Sequence, residues 1–281
     1  MRSLPSVHDM LHPRNPRVLV AAHRGEWSWA PENSLAAIDE AIAHGADIVE
    51  CDVRATQDGV LVLMHDKTLN RMTTLTGAVS GIDWYKLRHA HLRAGAGGPS
   101  APITSLRPPT LSEALECCRG RVVLNVDTKQ GQLADRVAEA VMSAGMSDHV
   151  FVKAAVGNPG HVREILDSPF YGRVPFVPMM KVGRGELVPA LRLLEPLQCP
   201  MYEVEFADLQ EVSSAREEFE RLQSRLWVNT IEVSHSPGFS DARAMEDASE
   251  VWGRLVDAGV GAIQTDAVKA LVDYLTITGV R

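Results

Sequence analysis

Apolar and β-branched residues fall in short runs along this chain, and between them lie longer stretches whose apolar positions recur every three or four residues. Such runs read as strands and the stretches as amphipathic helices, so the alternation predicts βα units on a parallel sheet. The strand runs cover 18–23, 48–53, 60–65, 122–127, 150–154, 174–180, 201–206, 226–231 and 262–265. Helical patterns cover 34–43, the span from Leu111 to Gly120 with Thr110 as its N-cap, and then 132–144, 159–167, 186–195, 211–224, 248–258 and 267–277. The run 60–65 follows the turn Gln57-Asp58-Gly59 and extends the second unit, which leaves eight strands and eight helices. That is the tally of a (β/α)8 TIM barrel, here one domain over 1–281, with an irregular insertion at 67–108 after the second strand. A doubly wound open sheet is the alternative. It lacks its dinucleotide turn, because Gly95-Ala96-Gly97-Gly98 follows no strand run and opens no helix.

Composition narrows the partners. The chain has 281 residues and a net charge of −8, with no Lys/Arg-rich block, which argues against nucleic acid held by phosphate neutralisation. A small anionic substrate stays open, since a bound metal can supply local positive charge. Cys51, Cys117, Cys118 and Cys199 show no C-x-x-C spacing, so neither a zinc site nor a disulfide framework is indicated, and free thiols in a reducing cytoplasm are the simple reading. Residues 1–17 have no apolar core of a signal peptide, and no apolar run reaches the ~20 residues of a membrane span. The expectation is a soluble, cytoplasmic protein without stable membrane association.

The chemistry concentrates where strands end. Barrel enzymes work at the C-terminal ends of their strands, and those ends here carry His23-Arg24, Glu50-Cys51-Asp52, His65-Asp66, Asp127 with Lys129, Lys153, Glu203 with Glu205, Trp227 with Asn229, and Gln264 to Asp266. Glu50 and Asp52 lie two apart, so both project from one face of their strand. With Ile48, Val49, Cys51 and Val53 assigned to an apolar outer face, the two carboxylates point into the barrel mouth; the alternative is that they face water. Adjacent carboxylates need a proton or cation between them, and hard oxygen ligands suit Mg²⁺ or Ca²⁺, with Asp127 as a third donor. His23 and His65 are candidates for moving protons near neutral pH, against the plainer role of hydrogen bonding at a strand end. Arg24 and Lys129 can grip phosphate oxygens or form salt bridges to Glu32 or Asp127.

His23-Arg24-Gly25, Pro31-Glu32-Asn33, Glu50-Cys51-Asp52-Val53, Asp58-Gly59 and His65-Asp66 together resemble the signature of the glycerophosphodiester phosphodiesterase family. The resemblance continues through Pro109 to Ala114, Leu124 to Lys129, Trp227-Val228-Asn229 and Gly261 to Asp266. It implies that His23 and His65 form the acid/base pair, that Glu50, Asp52 and Asp127 bind the metal, and that Arg24 and Lys129 contact phosphate. Glu32 is similar to the family's acid that orients Arg24 or His23, and Asn33 is expected to cap the first helix. The insertion resembles a family segment lying near the site mouth. Many members have Glu in place of Asp127, while the related sphingomyelinase D group uses Asp. Trp27 and Trp29 stand where smaller residues are common, and 234–247 is longer than a minimal loop.

The implied activity is metal-dependent hydrolysis of a small phosphodiester to a phosphomonoester and an alcohol. Trp27, Trp29, Trp227 and Glu205 are candidates for an alcohol pocket, or for ordinary packing. Rival readings are a sugar or opine-type phosphodiesterase, a lysophospholipase D or sphingomyelinase D-like enzyme, and an inactive ligand-binding barrel. Neither the oligomeric state nor which histidine is acid and which base follows from the sequence.

Overall fold

The structure, a computed structural model, describes residues 4–128 and 133–281. Its strands are β1 (Leu19–Ala22), β2 (Ile48–Ala55), β3 (Leu61–Leu63), β4 (Val123–Thr128), β5 (Val150–Ala155), β6 (Phe176–Val182), β7 (Met201–Phe206), β8 (Arg225–Asn229) and β9 (Val260–Thr265). Eight of them run parallel in the order β1-β9-β8-β7-β6-β5-β4-β2, and β1 pairs with β2 to close the barrel. The short β3 folds back antiparallel on β2, as an extension of the second unit.

Two-residue periodicity divides the barrel interior into layers. Ala21, Ile48, Val123, Phe151, Val177, Met201, Trp227 and Ala262 pack into one apolar floor, one residue from each parallel strand. Two positions further along, most strands present a polar group: His23, Glu50, Asn125, Lys153, Glu203, Asn229 and Gln264. Ile48 therefore belongs to the inner face with Glu50 and Asp52, and the outer face of β2 is Val49, Cys51 and Val53, which pack against the surrounding helices. The assignment of Ile48 to the outer face is corrected by the strand's own period.

Helix boundaries follow local chemistry. Thr110 and Glu113 form a capping box at the start of Leu111–Cys118. Helix Leu35–Ala43 is capped by Ser34, whose hydroxyl accepts from the Ala37 amide; Asn33, expected in that role, is diverted to the site. The pattern at 211–224 divides at Ala215 into Leu209–Ser214 and Arg216–Arg221, and that at 248–258 starts with a π-turn, Ser249–Gly253. Within the insertion, Val79–Gly81 and Trp84–Leu87 form single turns, and Leu69, Met72, Val79, Leu87 and Ala90 make a small core with Val62 and Met64. All four cysteines are free, and among the described residues no helix is long and apolar enough to cross a membrane.

The floor is sealed from below by helix Val7–Leu11, whose Val7, Met10 and Leu11 are buried against it. Arg225 reaches under the barrel and donates to the carbonyls of Met10 (3.1 Å) and Gly261 (2.9 Å). Leu11→Ala is expected to cost about 2–5 kcal/mol, the usual range for emptying a buried leucine site. Urea unfolding measures this, and a loss below roughly 1 kcal/mol would mean that the bottom of the barrel closes without the plug.

Candidate active site

At the C-terminal mouth, Glu50 and Asp52 of β2 and Asp127 of β4 are all buried, and one oxygen from each lies within 4.8 Å of the others. The β2–β4 register brings this about by placing Asp52 opposite Asp127. The set is oxygen-only and anionic, which fits a hard divalent cation. Buried Asn125, opposite Glu50, has no side-chain hydrogen bond among the described residues, so the same layer holds a further oxygen donor.

Arg24 is built around these carboxylates. Its backbone is left-handed (φ 57°), which lets its amide donate to Glu50 Oε2 at 3.0 Å while its side chain turns toward Asp52, with Nε 3.2 Å from Oδ2. Arg24 Nη1 donates to both oxygens of buried Glu32, at 3.1 and 3.0 Å. The structure therefore gives Arg24 the salt bridge to Glu32 that the sequence left as an alternative. Burial disfavours its charge, but Asp52, Glu32 and Glu50 outweigh this and raise its pKa. Gly25 is required beside it: φ is +82°, and a Cβ there would lie 2.7 Å from the Ala37 carbonyl. Asn33, also left-handed (φ 56°), donates through Nδ2 to Asp52 Oδ2 (2.8 Å) and accepts the Asp52 amide (2.9 Å).

Each histidine has a carboxylate behind it. His23 Nδ1 lies 2.8 Å from Asp266 Oδ1, across the β1–β9 seam, and His65 Nδ1 lies 2.8 Å from Asp66 Oδ1. Burial favours neutral His23, but its hydrogen bond to Asp266 and the charges of Glu50 and Asp266 reverse this and raise its pKa. The His65 carbonyl accepts from Arg54 Nε at 2.8 Å, and the Met64 amide donates to the Asp52 carbonyl at 2.9 Å, which fixes the end of β3 beside the carboxylates. Arg54 and Arg71 went unnoticed in the sequence. For Arg54 a signal existed, since it sits two positions past Asp52 on the same face.

Lys129 lies outside the described residues. Of the pocket candidates, Trp227 is fully buried in the floor, edge-on to Phe151, with Nε1 donating to Asn229 Oδ1 at 2.9 Å, so it supports the site from below. Trp29 is 86% exposed, and Trp27 donates to the His23 carbonyl at 3.1 Å. Glu205 does line a cleft of about 210 Å³, with Glu203, Asn229, Met179, Lys181 and His235. Neither glutamate joins the carboxylate cluster: Glu203 Oε2 accepts from buried Lys153 at 2.6 Å, and Glu205 pairs with Lys181.

Fold and site together define a parallel (β/α)8 barrel with a buried acidic cluster at its mouth. Residues 23–158 match the model of the glycerophosphoryl diester phosphodiesterase family, and 176–275 match that of a domain of unknown function. Mouse glycerophosphodiester phosphodiesterase 1 is 40% identical over 122 residues, which is 43% of this chain and 36% of the mouse protein. The chain spans about a third to just over half the length of the first curated relatives it matches. A glycerophosphoryl diester phosphodiesterase of Parabacteroides distasonis superimposes with a TM-score of 0.79 at 23% identity, covering 98% of this chain and 94% of that one. A phosphodiesterase of Oleispira antarctica, solved with its product sn-glycerol-3-phosphate, gives a TM-score of 0.68 at 21% identity, covering 94% and 99%. The segment that carries the carboxylate cluster and both histidines thus matches the glycerophosphodiester phosphodiesterase family, and the whole chain shares the barrel fold of these solved structures.

Behind Asp266, buried Asp241 accepts from the Thr230 and Thr265 hydroxyls (2.6 and 2.7 Å) and from the Asp266 amide (2.7 Å). Burial pushes its carboxyl up to about 6, despite those donors. A carboxyl raised in the fold contributes stability that is complete below the unfolded pKa of about 4 and is lost as pH rises through about 6. From pH 4 to 6.5, Asp241→Asn should therefore gain ~2–3 kcal/mol relative to the parent chain. Urea titrations at several pH values test this; a pH-independent difference would show that Asp241 is ionised throughout.

Proposed function

We propose that this chain is a metal-dependent phosphodiester hydrolase that cleaves a small glycerophosphodiester to a phosphomonoester and an alcohol. The observation that carries the reading is the buried Glu50–Asp52–Asp127 cluster at the barrel mouth, together with the two carboxylate-backed histidines. Glu50, Asp52 and Asp127 would hold a Mg²⁺ or Ca²⁺ ion. Such an ion, when bound, supplies Lewis acidity and charge neutralisation at a phosphate oxygen.

The protein's own groups move the protons. The carboxylates of Asp66 and Asp266 accept hydrogen bonds, so Nδ1 of His65 and of His23 carries the hydrogen, and Nε2 is left to exchange a proton with substrate. One imidazole takes a proton from the attacking hydroxyl, and the other gives one to the leaving alkoxide. Arg24 brings a guanidinium to the same carboxylates and can turn a donor toward a phosphate oxygen. The cleft beside Glu203, Glu205, Asn229 and His235 is rich in donors and acceptors, which suits a polar alcohol. The product bound to the Oleispira antarctica protein is of the class proposed here.

Chelation should abolish turnover of glycerophosphocholine, glycerophosphoethanolamine or glycerophosphoglycerol, and Mg²⁺ or Ca²⁺ should restore it. His23→Ala and His65→Ala should each lower kcat by about 10²–10⁴-fold while remaining folded. Full activity after chelation, or a loss below roughly tenfold in either variant, would remove the metal or that histidine from the mechanism.

Asp127 and Glu205 are separable in the same assay. Asp127→Asn should raise the metal concentration needed for half-maximal rate and Glu205→Gln should leave it unchanged, because Glu205 already pairs with Lys181 outside the cluster. The reverse pattern would move the third ligand to β7.

A further inference from the structure

Two features remain unused by this reading: Arg71 in the insertion, and the glycine-rich turn Gly95-Ala96-Gly97-Gly98. They meet. Arg71 grips Asp66 with two parallel hydrogen bonds, Nε to Oδ2 and Nη2 to Oδ1, both 2.8 Å. Its Nη2 also donates to Glu32 Oε1 at 2.7 Å. The turn holds Arg71 in place, with the Gly98 amide donating to the Arg71 carbonyl at 2.8 Å and Arg71 Nη1 donating to the Ala96 carbonyl. Gly97 has φ +71°, and a Cβ there would lie 2.5 Å from the Arg71 carbonyl oxygen and 2.5 Å from the Met72 sulfur. The same turn accepts the Glu32 amide at the Gly95 carbonyl, 3.0 Å away.

We propose that Arg71 is a positioning residue for His65: the insertion delivers a guanidinium fork that locks Asp66, and Asp66 in turn fixes the tautomer and orientation of the His65 ring. The inference rests on the reading of His65 as one of the acid/base pair. Asp66 follows His65 directly on the chain, at a partly exposed strand end, so its carboxylate can swing to water unless both oxygens are held. The forked contact holds both, and lysine cannot reproduce it. It also keeps Asp66 ionised, well below the usual carboxylate range, chiefly through the Arg71 hydrogen bonds. The plainer role, neutralising buried Glu32, is already filled by two Arg24 contacts.

The test uses the full chain and reads the histidine ring directly. Side-chain ¹⁵N NMR, with His65 assigned through His65→Gln, should show Nδ1-protonated His65 in the parent protein. Arg71→Ala and Gly97→Ala should both give a mixed-tautomer His65 signal, with His23 unchanged. In kinetics, Arg71→Ala should lower kcat at least about tenfold, yet less than roughly threefold when added to His65→Ala, since coupled residues are not additive. An unchanged His65 signal, or equal losses in both backgrounds, overturns the proposal. If Arg71→Ala does not fold, Arg71→Lys decides instead: it keeps the charge and loses the fork, and an unperturbed His65 there is equally fatal. If His65→Ala retains its rate, the catalytic reading fails, while the NMR result still reports whether Arg71 orients the ring.

Discussion

Three carboxylates held within 4.8 Å of one another in a buried mouth are the constraint that the rest of this site answers. Like charges in that position repel strongly in a low-dielectric setting, and the cost is tolerable only if cations and donors converge on them. Arg24 and Asn33 converge by the least common backbone available to them, both left-handed. Gly25 clears the space beside Arg24, and Glu32 anchors its guanidinium. The His-Arg-Gly and Pro-Glu-Asn pieces are thus two sides of one bracket around Asp52, joined by the hydrogen bond from the Asn33 amide to the Arg24 carbonyl at 3.0 Å.

The barrel makes that bracket affordable in structural terms by separating its layers. Below the charged layer, every parallel strand contributes an apolar side chain to a floor that is buried and capped from beneath. Above it, charge is met by charge: Lys153 with Glu203, Arg24 with Asp52 and Glu32. Lys153 shows the balance well. Burial disfavours its ammonium, yet Glu203, Glu50 and Asp127 together raise its pKa. Its Nζ stands 5.0 Å above the Trp227 ring, so the floor contributes to holding a cation as well as to packing.

Much of this was legible in the sequence, and for a physical reason. Strand runs are short and apolar with polar ends, so eight strands, the hairpin extension and the carboxylate pair could be read from a two-residue period. What escaped was whatever depends on backbone conformation or on contacts between distant segments. Asn33 looks like a helix cap because its residue type caps helices, and only the left-handed turn sends it to Asp52 and leaves Ser34 to cap. Trp227 could equally have lined a pocket or filled a floor, since its strand position is two below the mouth and nothing in the residue says so. Arg71 lies within the irregular stretch that follows His65-Asp66, where no periodicity ties a side chain to a face.

The two family models that match the chain, over 23–158 and 176–275, are separated by the stretch between β5 and β6, which divides the eight parallel strands of the barrel into four and four. The first half owns the carboxylate cluster, both histidines and the insertion; the second owns the wall of Glu203, Glu205, Asn229 and His235. The division is not clean. His23 stands at the start of the first half, but the carboxylate behind it, Asp266, arrives on the last strand and is itself held by Asp241. The His23 ring is thus held by its carboxylate only when the chain's two ends have met, so barrel closure and completion of the two carboxylate-backed histidines become a single event.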